Sequence, residues 1–116
     1  MRGVGTVRVL VANEPRSYRE AIAVVLRAVC GPFIEVSEAE ELDATALGAR
    51  PHLVICSLAT PAVREAVGVW VELYPGHGSL SNVGFHGEVS ALEGMELPDI
   101  RSVVERTRAA LAGTST

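Results

Sequence analysis

Short apolar runs alternate along the chain with longer stretches in which apolar residues recur at helical spacing. Val7 to Ala12 (Val-Arg-Val-Leu-Val-Ala) has strand length and the composition of a strand buried on both faces. Asn13-Glu14-Pro15 breaks it, with Asn13 or Glu14 as cap and Pro15 in the first turn of a helix. Ala21, Ile22, Val25, Leu26 and Val29 then repeat at helical spacing until Gly31-Pro32 stops them. Phe33 to Val36 predicts a second strand. Ser37 followed by Glu40 reads as a capping box for a second helix that turns Ala39, Leu42, Ala46 and Leu47 inward and ends at Gly48.

Leu53 to Ser57 predicts a third strand, and Thr60-Pro61 opens a short helix that Gly68 soon ends. Val67 to Leu73 predicts a fourth strand, and Glu88 to Leu92 a fifth. Between them, Tyr74 to Gly87 holds five glycine or proline positions from Pro75 to Gly87, which argues against a stable helix. Pro98 opens a final helix with Ile100, Val103, Val104, Thr107 and Leu111 on its inner face, closed by Gly113. Residues 1–5 and 113–116 are expected to fray, leaving a single domain over residues 1–116.

Strands alternating with helices imply a parallel sheet covered on both faces. The expected architecture is α/β: a flavodoxin-like, doubly wound parallel five-stranded sheet in the order 2-1-3-4-5, with the fourth-helix region remodelled or lost.

Charge and composition narrow the function classes. The net charge is −4, with ten arginines and no lysine, so the basic footprint of a nucleic-acid-binding domain is absent. No apolar run approaches ~18 residues, so no membrane span is expected. The N-terminal residues lack the apolar core of a signal peptide. Cys30 and Cys56 make no disulfide framework and read as small buried hydrophobes of a cytoplasmic protein.

Three stretches resemble one family. Val7-Arg8-Val9-Leu10-Val11-Ala12-Asn13-Glu14-Pro15, with Tyr18-Arg19-Glu20-Ala21, is similar to the opening of a response-regulator receiver domain, closest to receivers that carry a helix-turn-helix output domain. Arg50-Pro51-His52-Leu53-Val54-Ile55-Cys56-Ser57-Leu58-Ala59-Thr60-Pro61 resembles that family's third strand and following loop. Leu97-Pro98-Asp99-Ile100-Arg101-Ser102-Val103-Val104 resembles its last helix. The resemblance covers residues 6–67 and 95–112 and fails between 74 and 88.

Residue by residue, the resemblance points to a degenerate site. The positions of the family's magnesium-binding acidic pair hold Ala12 and Asn13, and the phosphoacceptor position holds Ser57. The family's lysine has no counterpart in a chain without lysine. Magnesium needs hard anionic oxygens, and an acyl phosphate needs a carboxylate nucleophile. Neither is present at these positions, so no metal or cofactor is expected.

For Ser57, satisfaction by neighbouring backbone and a residual ligand contact both stay open. Glu14, Arg16 and Thr60 are the other candidates for a pocket at the same mouth. Trp70 and Tyr74 read either as core or as a partner surface, and Arg101 faces either a partner or water. The expected function is an atypical, phosphorylation-independent receiver-like module for protein interaction and dimerisation in signalling or transcription control. It would be a homodimer with a protein partner or output domain, without enzymatic activity. The alternative is a small-molecule-binding or catalytic flavodoxin-like domain using the pocket around Asn13 and Ser57.

Overall fold

The computed structural model describes residues 6–13, 16–31, 34–40, 48, 50–73 and 80–113. Among them the chain forms a mixed six-stranded sheet and three helices. Strand β1 (Val7–Ala12) lies at the sheet's interior, and only Arg8 along it is exposed. Helix α1 (Arg16–Cys30) follows, burying Ile22, Ala23 and Leu26. Gly31 then turns into the left-handed region at φ 63°, the conformation that ends helices. Strand β2 is Ile34–Glu38 and strand β3 is Leu53–Cys56. Helix α2 (Pro61–Ala66) is capped by the Thr60 hydroxyl, which accepts the Val63 N–H at 3.3 Å. Strand β4 (Val69–Glu72) precedes a hairpin of β5 (Leu80–Phe85) and β6 (Glu88–Glu93). Helix α3 (Leu97–Gly113) completes the chain, with the Asp99 carboxylate accepting the Glu96 N–H at 2.9 Å as its cap.

The strand order is β2-β1-β3-β4-β5-β6. The first four strands are parallel, in the expected order. Beyond β4 the expectation of an all-parallel five-stranded sheet is corrected: β5 runs antiparallel to β4, and β6 antiparallel to β5. Loop length explains the reversal. Only residues 73–79 join β4 to β5, and a parallel return needs a crossover of about a dozen residues or more. The hairpin occupies the stretch in which an α/β repeat would place its fourth helix.

One further reading changes. Ser37 lies inside β2, so it does not cap a helix. The rest of that expected helix, apart from helical Gly48, lies outside the described residues. The segment of Tyr74 to Gly87, read from its glycines as unfavourable for a helix, contains a strand, β5, with Gly84 as its fifth residue.

The sheet separates two cores. On one face, α1 and α3 cover Val7, Val9, Val11, Leu53, Ile55, Val69 and Val71, with Ile100, Val103 and Val104 supplied by α3. On the other, α2 covers Leu10, Val54, Cys56 and Trp70 through Val63, with Val67 just beyond its end. No described helix covers β6, whose six residues are all exposed.

The β5–β6 hairpin closes on His86 and Gly87, both at positive φ (49° and 94°), as a tight two-residue turn matching the sheet's twist requires. Gly87→Ala is expected to lower the unfolding free energy by about 1–2 kcal/mol, because alanine resists that conformation. Gly87→Asn should cost less. Urea denaturation of both variants measures the difference, and equal stability of the alanine variant and the parent would exclude this turn.

Candidate functional site

In open α/β sheets, ligands gather beyond the carboxyl ends of strands whose following connections leave on opposite faces. Here that crevice lies between β1 and β3. Register places Ala12 beside Cys56, and Cys56 beside Glu72, so the three strands end at one level. Asn13 and Ser57 stand one residue further on, at the crest.

Asn13 is fully buried, and neither its amide oxygen nor its amide nitrogen has a hydrogen-bond partner among the described residues. It therefore does not cap α1 with its side chain. Ala12 is buried in the core under α2. Ser57 is half-buried at the first position past β3. Thr60 is committed to its cap. Arg16 points along its own helix, its Nε donating to Glu20 Oε2 at 2.8 Å on the exposed surface. Arg19, one turn on, is buried and lies 3.8 Å from Glu38 Oε1 and 3.9 Å from Glu40 Oε2. Glu14 and Tyr74 lie outside the described residues. Arg101 is exposed and paired with Glu105 at 3.3 Å. Trp70 is only 4 % exposed and belongs to the core, with the Arg64 guanidinium 4.4 Å above its ring.

The dominant charge at the strand ends is one that sequence reasoning passed over. Glu72 is 1 % exposed at the end of β4. Its Oε2 accepts the Ala59 backbone N–H at 2.7 Å and an Arg64 N–H at 3.1 Å. Its Oε1 accepts the Asn82 side-chain N–H at 2.9 Å. One carboxylate thus ties the loop after β3, helix α2 and strand β5 to the end of β4. Arg64 also donates to the Ala59 carbonyl at 3.2 Å, closing the loop onto the same group.

Burial works against ionisation of Glu72. Hydrogen bonds from Asn82, Ala59 and Arg64, and the Arg64 charge, outweigh it and hold the carboxyl below its ordinary value. A lone acidic residue in the otherwise apolar Val69–Leu73 was the available signal, because an unpaired carboxylate is not tolerated in a core strand. Cys56 is no nucleophile: burial foremost, with the Glu72 charge, pushes its thiol up to about 12. Its Sγ lies 3.7 Å from the Val71 carbonyl.

Among the described residues, no three His, Cys, Asp or Glu side chains group as a metal site. None of their helices is long and apolar enough to cross a membrane. No family model, curated protein or solved structure matches the chain.

Proposed function

We propose that the chain is a receiver-like domain that works without phosphorylation, as a protein-interaction and dimerisation module in signalling or transcription control. The observation that carries this reading is the buried Glu72 carboxylate bonded to the Ala59 N–H. The Ala59 N–H, in the loop after β3, already holds an anion that belongs to the chain. A phosphoryl group delivered to Ser57 would add charge close to a buried carboxylate, and like charges disfavour each other most where water is excluded. Ala12 and Asn13 add no negative oxygen to hold a divalent cation. Any catalytic or DNA-binding output then belongs to another domain or protein, in the cytoplasm.

Incubation with magnesium and a small phosphoryl donor tests the reading by intact mass. The chain is expected to remain unmodified, and a stable phosphoryl adduct overturns the proposal. One observation favours the second reading, a small-molecule site: the buried amide of Asn13, without a partner among the described residues. A thermal-shift panel of nucleotides and metabolites separates the two. No shift supports the interaction module, and a large shift abolished in Asn13→Ala supports the ligand site.

A further inference from the structure

We infer that His52 is a proton-operated clasp at the amino end of the sheet: its neutral ring ties the start of β1 to the start of β3, and a proton on that ring releases the two.

The clasp sits at the opposite ends of the same strands from the crest at Asn13 and Ser57. β1 and β3 pair from Val9 and Leu53 onward, and Arg8 and His52 stand one residue before that pair. The His52 N–H donates to the Arg8 carbonyl at 2.9 Å. In return the Arg8 N–H donates to the ring Nδ1 of His52, also at 2.9 Å. A regular parallel ladder would give that N–H a backbone carbonyl. Ahead of β3 the chain turns at Arg50, whose φ is 51°, and the Arg50 carbonyl accepts the Arg8 guanidinium at 2.9 Å. A side-chain nitrogen thus completes the pairing of the two strands at this end.

A ring nitrogen can be switched off as an acceptor at mild pH, and a carbonyl cannot. To accept the Arg8 N–H, Nδ1 has to be bare, so the neutral ring carries its proton on Nε2. A proton added at Nδ1 sets donor against donor. The ring then has to turn away, and the Arg8 N–H loses its acceptor.

The surroundings favour the neutral ring. His52 is half-buried, and burial foremost, with the Arg8 charge second, pushes its pKa down. Arg50 adds a further cation on the same loop. Among the described residues no carboxylate stands against the ring: Glu35 is level with Arg8 on β2, with β1 between it and β3. Across β3, Gly68 precedes Val69, the partner of Leu53, and brings no charge. The His86 ring stands beside Gly68, 3.1 Å from where a β-carbon would be. Of the helix cations at this end, Arg27 is bonded to the Val36 carbonyl and Arg106 lies over the Phe85 ring.

The folded ring therefore holds its proton less tightly than an ordinary histidine at 6.5. The clasp is complete above that value and is lost as pH falls through the lower folded one. Release loosens an apolar end of the core, where Val7 and Leu53 are both fully buried. The proton acts here as a ligand of the sheet's amino end, independent of any event at the crest.

The test is an NMR titration of the whole chain from about pH 7.5 to about 5, with circular dichroism to confirm folding. Long-range nitrogen–proton spectra of the neutral ring are expected to show Nε2 protonated and Nδ1 bare. The ring should titrate below 6.5. Hydrogen exchange of the Arg8 amide, corrected for its intrinsic pH dependence, should lose about tenfold in protection as the ring charges. Protection of Val71, inside β4, should hold. His52→Ala should show the low Arg8 protection at every pH. His52→Asn offers an oxygen acceptor that takes no proton in this range, so its Arg8 protection should stay flat. A neutral ring protonated on Nδ1, or a ring titrating at or above 6.5, overturns the clasp. So does parental Arg8 protection in His52→Ala, or an acid loss in His52→Asn equal to the parent's. A fall at Val71 equal to that at Arg8 overturns it as well, because the opening is then global. If His52→Ala does not fold, the parent's ring titration and His52→Asn decide.

Discussion

Glu72→Gln is expected to destabilise the fold by about 2–3 kcal/mol near neutral pH, although the substitution preserves shape and volume. The carboxylate accepts from three groups, Ala59, Arg64 and Asn82, through two oxygens. Glutamine has one oxygen, and its amide nitrogen is a donor. Whichever way the amide is turned, a donor meets a donor. Each buried donor left unpaired costs about 1–3 kcal/mol. The Arg64 contribution is the smaller part, because its side chain is 45 % exposed and can turn to water. Arg64→Ala should therefore cost only about 1 kcal/mol, counting its lost contact over Trp70.

The same comparison has a pH signature. The Glu72 carboxyl titrates below its ordinary value near 4.5 in the folded chain. Its stabilising contribution is complete above the unfolded value and is lost as pH falls through the lower folded value. The stability gap between parent and Glu72→Gln should be constant above about pH 5 and narrow on acidification below 4.5. Urea denaturation across this range reads it directly. A gap that does not narrow in acid would remove the ionised carboxylate from the account.

Much of the fold was legible because its signals are local. Val7–Ala12 and Leu53–Cys56 are apolar on both faces, which is what a strand between two helical layers requires. Thr60-Pro61 carries its cap within four residues. The final helix shows its inner face at Ile100, Val103, Val104 and Thr107, all buried. What was not legible depends on partners distant in sequence. Ser37 and Glu40 have the spacing of a capping box, yet Ser37 is paired with Leu10 of β1. Pairing with a central strand outweighed a local capping preference. The direction of β5 follows from the length of its connection, and no residue type within the strand announces it. Glu72 lies within the apolar run Val67–Leu73, and Asn82, one of its partners, comes ten residues later in a stretch without periodicity, so their pairing was not legible.

Gly84→Ala is expected to be as costly as truncating Trp70 itself, about 3–5 kcal/mol. Glycine ordinarily weakens a strand, which argues for replacing it. The register reverses that argument. Gly84 pairs with Trp70 across β4–β5, and a β-carbon on residue 84 would fall within the indole ring. The indole occupies the space that a side chain on residue 84 would need. Alanine forces the indole out of a core that includes Leu10, Val54 and Val63. Trp70 is the chain's only tryptophan, so its fluorescence reports the event. Gly84→Ala should shift the native emission to longer wavelength and lower the denaturation midpoint. The two substitutions should also be strongly non-additive. Once alanine at 84 has displaced the ring, Trp70→Ala removes a side chain that no longer packs, and the double variant should lose little more than either single one. Additive losses, with unshifted emission in Gly84→Ala, would mean that the indole does not rest on residue 84.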